Sequence, residues 1–159
     1  MKTMNAFKPA LLAAACVFAL AACQETPRDT AEDVAEARAD GRENVAEAQA
    51  DLRETQAEVR TDLNDAATDQ NNMIAGDRAD YREAVVDAGE STAAAQRDVA
   101  LAKADAAYNI AEEQCEGLEM GSTNRSSCMT EAENAQEMAK LEANNAYDMA
   151  QSNADARRE

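Results

Sequence analysis

Histidine and tryptophan are absent from this 159-residue chain, which has only two prolines, five glycines and two phenylalanines. The missing imidazole removes the commonest general base and the commonest transition-metal ligand. The shortage of aromatics removes the side chains that dominate compact cores, where burial stabilises by about 25 cal/mol per Å² of apolar surface. Scarce glycine and proline are what a mostly helical chain requires. Positive charge is also in deficit: 15 Lys and Arg stand against 32 Asp and Glu, for a net charge of −17. That balance argues against nucleic acid and bare anionic head groups as partners and favours cationic ones, although solubility alone also accounts for it. No glycine-rich phosphate loop and no nucleophile motif is present. Catalytic residues, metal ligands, a cofactor and a small-molecule substrate are therefore not expected.

What the chain has in abundance is alanine, which supplies most of its apolar residues. Alanine buries little surface, so long helices paired along narrow seams suit this composition better than a globule. The expected class is all-α: extended helices with eleven-residue repeats, then a disulfide-closed antiparallel helical hairpin, without a large globular core.

The first residues read differently from the rest. Met1 to Pro9 carries Lys2 and Lys8, and Ala10 to Ala19 is continuously apolar. This is the pattern of a secretory signal peptide over residues 1–22, too short to span a membrane. It ends in Leu20-Ala21-Ala22-Cys23. Those four residues resemble the lipobox of the bacterial lipoprotein precursor family. The resemblance implies that Cys23 receives a diacylglycerol, that the chain is cut before it, and that the new amino group is acylated, for instance with palmitate. Acyl chains contribute about 0.8 kcal/mol per buried CH₂, so several together anchor firmly. In that family an Asp after the cysteine favours retention in the inner membrane. Gln24 stands there instead, which implies an outer-membrane address facing the periplasm. Cys16 sits inside the apolar run, too early for a lipobox, and reads as apolar filler.

Residues 23–29 form a tether, and either Thr26-Pro27 or Thr30, with Asp33 three residues on, can start a helix. From Thr30 the chain repeats: TAEDVAEARAD, GRENVAEAQAD, LRETQAEVRTD. Eleven residues in three turns hold a pattern on one helix face. The predicted seam is Thr30, Val34, Ala37, Gly41, Val45, Ala48, Leu52, Gln56, Val59, Leu63 and Ala67. Acids at Asp40, Asp51 and Asp62, and at Glu47, Glu58 and Asp69, keep the same period on one side. Arg38, Arg42, Arg53 and Arg60 flank the other side, so two such helices pair seam to seam with acids meeting arginines. The repeats resemble those of late embryogenesis abundant proteins and, more distantly, apolipoproteins, both helices that interact with surfaces. The seam lacks the broad Leu/Phe face of the latter.

The repeat helix is placed at 30–73, with a hinge near Asn71, Asn72 and Gly76 and a new helix capped by Asp69 or Asn72. A second helical segment occupies 74–114. Its spacing is nearer seven: Ile74, Tyr81, Ala88, Ala95 and Ala102, with Val85, Thr92, Val99 and Ala106, as in a coiled coil. Gly89 to Ser91 is a candidate break. Residues 115–128, CEGLEMGSTNRSSC, read as a loop whose end Leu118 and Met120 plug, with Ser126 or Ser127 capping a final helix over 129–156. The flanks mirror one another about this loop: Cys115 faces Cys128, Ala111 Ala132, Ala104 Ala139, Ala100 Ala143 and Ala93 Ala150. In an exported chain these cysteines form a disulfide. Their spacing fits neither a Cys-x-x-Cys redox pair nor, without histidine, a zinc site. The arrangement, with Tyr108 upstream, resembles alanine-rich helical hairpin proteins of proteobacteria.

The functional expectation is a lipid-anchored, non-enzymatic envelope protein with a structural or interaction role. Its partners are the membrane, through Cys23, and another copy or a helical envelope protein. The alternatives are an acidic module for cationic peptides or ions, and a stress protectant like the late embryogenesis abundant proteins.

Overall fold

The computed structural model describes residues 26–72 and 77–158. They form three helices: α1, Pro27–Asn72; α2, Asp77–Glu116; and α3, Thr123–Arg158. The signal segment, Cys23, Ile74 and Gly76 lie outside the described residues, while Asn71 and Asn72 of the expected hinge are the last residues of α1.

α1 begins three residues earlier than Thr30. Thr26 Oγ1 accepts a hydrogen bond from the Asp29 amide at 3.3 Å, and Asp29 Oδ2 accepts from the Thr26 amide at 3.2 Å. This reciprocal capping box, with Pro27 in the first helical position, satisfies the free amides of the first turn. Thr30 is left inside the helix, and residues 27–29 belong to α1 rather than to a tether.

The eleven-residue seam packs against α2. Of the expected positions, Gln56 alone faces solvent; Thr55 is half-buried in its place, and Ala66 joins Ala67. A straight helix turns about 100° per residue and the repeat about 98°, so the packed stripe slides back toward preceding residues along the helix. Gly41 against Ala106 and Gly117 against Thr30 fix an antiparallel register. An ideal Cβ on Gly41 would lie 2.8 Å from the Ala106 Cβ, so the helices approach too closely there for any side chain.

α2 carries two seams. Tyr81, Val85, Ala88, Thr92, Ala95, Val99, Ala102 and Ala106, the expected set spaced near seven, are all buried or half-buried. By register they face α1. The second seam faces α3: Cys115 bonds Cys128, with Cα atoms 5.6 Å apart, and the Arg97 guanidinium lies 4.6 Å from the ring centre of Tyr147. Val86, Arg97 and Tyr108, like Ala93, Ala104 and Cys115, recur there every eleven residues. Ala95 to Arg97 is a step of two residues, or roughly 196°, so the two seams lie on nearly opposite sides of α2. Accordingly no Cα of α1 lies within 8 Å of one in α3 among the described residues. The molecule is an open layer one helix thick, with α2 in the middle.

The expected mirror symmetry is the α2–α3 register. Ala104, Ala132 and Ala143 are buried, Cys115 is fully so, and Ala93, Ala100, Ala111, Ala139 and Ala150 are half-buried. α3 has its own eleven-residue spacing, since its buried residues are Ala132, Ala143 and Ala154. Polar groups reinforce this alanine seam. Lys140 pairs with Asp105 at 2.7 Å, and Arg158 pairs with Asp87 at 2.9 Å and with Glu90 at 3.1 Å.

The loop is shorter than 115–128. Cys115 lies in the last turn of α2 and Cys128 inside α3, leaving only 117–122 outside the helices. Ser122 is the cap rather than Ser126 or Ser127: its Oγ accepts from the Arg125 amide at 3.1 Å. Gly121 turns the chain with a φ of 75°, a region where a Cβ is strained. Met120 is 72% exposed and Leu118 39%, so neither plugs the hairpin. α2 stays helical through Gly89–Ser91. One glycine costs about 1 kcal/mol against alanine, which a long helix packed on both sides absorbs.

Candidate functional site

Among the described residues the layer is one helix thick, so its chemistry lies on its faces and edges. No polar or charged side chain is buried among the described residues. No group of three or more His, Cys, Asp or Glu there is placed to hold a metal ion.

The two faces differ in charge. Along α1 four seam residues have an acid before them and an arginine after them: Glu36-Ala37-Arg38, Asp40-Gly41-Arg42, Asp51-Leu52-Arg53 and Glu58-Val59-Arg60. One residue turns about 100°, so the acids and arginines emerge on opposite faces. The expected meeting of acids with arginines concerns two repeat helices; between α1 and α2 the flanks bring like charges together. Beside Arg38 and Arg42, α2 contributes Lys103, together lining a groove of about 570 Å³ floored by Val45, Ala106 and Ile110. On the other face, beside Asp33, Glu36 and Asp40, α2 contributes Glu112 and Glu113 around a hollow of about 240 Å³. The seam joins like to like because burial of its apolar residues sets the register. The flanking charges are exposed, and solvent screens their repulsion. Arg38, Arg42 and Lys103 form no ion pair among the described residues.

The edges differ as well. The outer side of α1 carries the acidic ridge of Glu43, Glu47, Glu54 and Glu58, all exposed. The outer side of α3 carries Met138, Leu141 and Met149, exposed by 66%, 54% and 64%. α3 thus buries Ala132, Ala143 and Ala154 and turns two methionines and its leucine to solvent. Met138 and Met149 are eleven residues apart, the spacing that aligns Ala132 with Ala143, so they lie on one line of the helix. The sequence reading missed this stripe, although the spacing was there to be found.

Two titratable groups are perturbed on the α2–α3 side. Arg158 is held above its ordinary value, first by its hydrogen bond to Asp87 and then by Glu90. The Tyr108 phenol is raised, first by partial burial and then by Glu112, which accepts its hydrogen bond at 3.3 Å. Arg158 also lines an open hollow of about 300 Å³ with Ala79, Arg82, Glu83, Val86 and Arg157. Both groups hold the helix surface together.

The three cysteines singled out by sequence separate by role. Cys115 and Cys128 are joined and shielded, so neither is a free thiol. Cys23 lies outside the described residues, just ahead of the cap at Thr26. No helix among the described residues is long and apolar enough to cross a membrane. Comparison with protein-family models, curated proteins and solved structures gives no match to this chain.

Proposed function

We propose that the chain is a lipid-anchored, non-enzymatic component of a bacterial envelope, held at the outer membrane through Cys23, whose helical layer is a structural or interaction surface in the periplasm. The observation that carries this reading is the run from Met1 to Cys23: two lysines, an unbroken apolar stretch, then Leu-Ala-Ala-Cys. A thiol placed there is the acceptor for a diacylglycerol, and helix α1 begins only four residues later. The layer itself suits such a role. It is thin, acidic on one face and long for its mass: α1 alone, at 46 residues, extends about 69 Å. A surface of this kind meets other surfaces along its length.

The test is acylation in the cell. A fatty-acid analogue should label the wild-type chain, and Cys23→Ser should abolish labelling and leave an uncleaved or mislocalised form. Unchanged labelling of the Cys23→Ser variant would remove the anchor from this account.

A further inference from the structure

The unpaired cations and the exposed methionines lie on different helices of the same chain, and each supplies what the other lacks. The groove between α1 and α2 offers an apolar floor, Val45, Ala106 and Ile110, under three cations. The outer edge of α3 offers Met138, Leu141 and Met149. That edge is bordered by Glu137, Glu142 and Asp148, all exposed and without an ion pair among the described residues. The lengths agree too. Along α1 the groove runs from Arg38 to Gln49, and the stripe runs from Met138 to Met149. Each covers three turns of helix, about 17 Å.

The two features cannot meet within one molecule, because α3 lies across α2 from α1 and does not reach it. We propose that the groove of one copy receives the α3 edge of a second copy, methionines and Leu141 on the apolar floor, Glu137, Glu142 and Asp148 against Arg38, Arg42 and Lys103. Pairing two α3 edges would set these carboxylates against one another. Pairing the edge with the acidic hollow would do the same. The basic groove offers both an apolar bed and the opposite charge, and its three cations are unpaired, whereas in the arginine-lined hollow beside Val86 the Arg158 guanidinium is already held by Asp87 and Glu90. Because the contact joins two different surfaces, the pair keeps one free edge on one copy and one free groove on the other, and association continues into chains or a closed ring. The inference deepens the interaction role proposed above and does not depend on acylation: it can fail with Cys23 lipidated, or hold with Cys23 unmodified.

A contact three turns long is at the small end of the interface range, so it calls for weak association at concentrations on the order of 0.1 mM. Sedimentation velocity on the full chain, as the cell processes it, should show concentration-dependent association that falls as salt rises. Arg38→Glu with Arg42→Glu destroys the groove and keeps the edge. Met138→Asp with Met149→Asp destroys the edge and keeps the groove. All four residues are exposed, so circular dichroism should show unchanged helicity. Each variant alone should be monomeric, and an equimolar mixture should give a dimer and nothing larger. The milder changes Arg42→Gln and Glu142→Gln, too slight to unfold a helix, should each weaken wild-type association several-fold. A monomeric wild type, a variant that associates as wild type does, or a mixture of well-folded variants that stays monomeric would overturn the proposal.

Discussion

Toward α1, helix α2 turns Val85, Val99 and Ile110, and the facing seam of α1 carries Val34, Val45, Leu52, Val59 and Leu63; toward α3 it turns Ala93, Ala100, Ala104 and Ala111 to meet alanines. The α1 side therefore has branched side chains and a wider apolar contact. The α2–α3 side buries Val86 and otherwise mostly alanine, and adds other means: the Cys115–Cys128 bond, the Asp105–Lys140 pair, the Arg158 cluster and the stack of Arg97 on Tyr147. Both sides are antiparallel and both follow an eleven-residue register, so periodicity alone does not decide how a seam is held. Side-chain size does. Where the repeat supplies valine and leucine, burial suffices and the flanking charges are left unpaired. Where it supplies alanine, covalent and polar links make up the difference.

The sharpest way to break that comparison is to put charge into the valine seam. Val45 and Val59 are half-buried between α1 and α2, while Glu47 and Glu58 are exposed on the far side. Val45→Asp with Val59→Asp should detach α1, because an unpaired carboxylate in an apolar contact costs several kcal/mol or forces the contact apart. A lone helix with so narrow a stripe is marginal in water. The far-ultraviolet helical signal should fall by about the share that α1 contributes, with the disulfide-closed α2–α3 hairpin retained. Glu47→Gln with Glu58→Gln should leave helicity unchanged. Equal loss in both variants would mean that the seam is not what orders α1.

The second experiment removes the covalent link from the alanine seam. The cysteines are 13 residues apart, and in the chain-entropy model closing such a loop contributes about 3 kcal/mol. Cys115→Ser with Cys128→Ser should lower the denaturant midpoint and release α3 before α1. Hydrogen exchange should rise first in residues 129–158. Uniform loss of protection across all three helices would show that the α2–α3 side does not depend on its link.

How much of this could be read from the chain follows from the same contrast. The α1 seam was legible because valine and leucine mark it every eleven residues, and the disulfide because the alanines mirror one another about a glycine-rich loop. Both seams of α2 were legible, the α1-facing one as a set spaced near seven and the α3-facing one as the mirrored alanines, but alanine fits a buried seam and an exposed face alike, so the eleven-residue recurrence of Val86, Arg97 and Tyr108 did not stand out. The outer stripe of α3 went unread because Met138, Leu141 and Met149 are separated by polar residues, and large side chains are ordinarily assigned to a core. What the flanking charges of α1 meet within the molecule was not legible, for a different reason. The pattern on α1 places acids and arginines on opposite flanks, but only the register with α2 decides what each flank meets. The anchor at Cys23 rests on the motif alone.

The smallest effect is also the most direct measure of how tightly α1 sits on α2. Gly41 and Gly89 are both helical glycines, and replacing either with alanine should gain up to about 1 kcal/mol of helix propensity. At Gly89 nothing lies within 4 Å of the added carbon, so the gain should appear in full. Gly89→Ala should raise Tm by about 2–4 °C in a chain of this size. At Gly41 the added carbon would meet the Ala106 Cβ at 2.8 Å, and that atom is fixed to the backbone. The helices would have to part along the seam, weakening contacts on either side of the collision, so Gly41→Ala should lower Tm despite the better propensity. Restoring room opposite, with Ala106→Gly in the same chain, should recover most of the loss, because the carbon is then moved from one helix to the other. Equal stabilisation by both single changes would show that α1 and α2 have slack at this level, and that the valines rather than the close approach hold them.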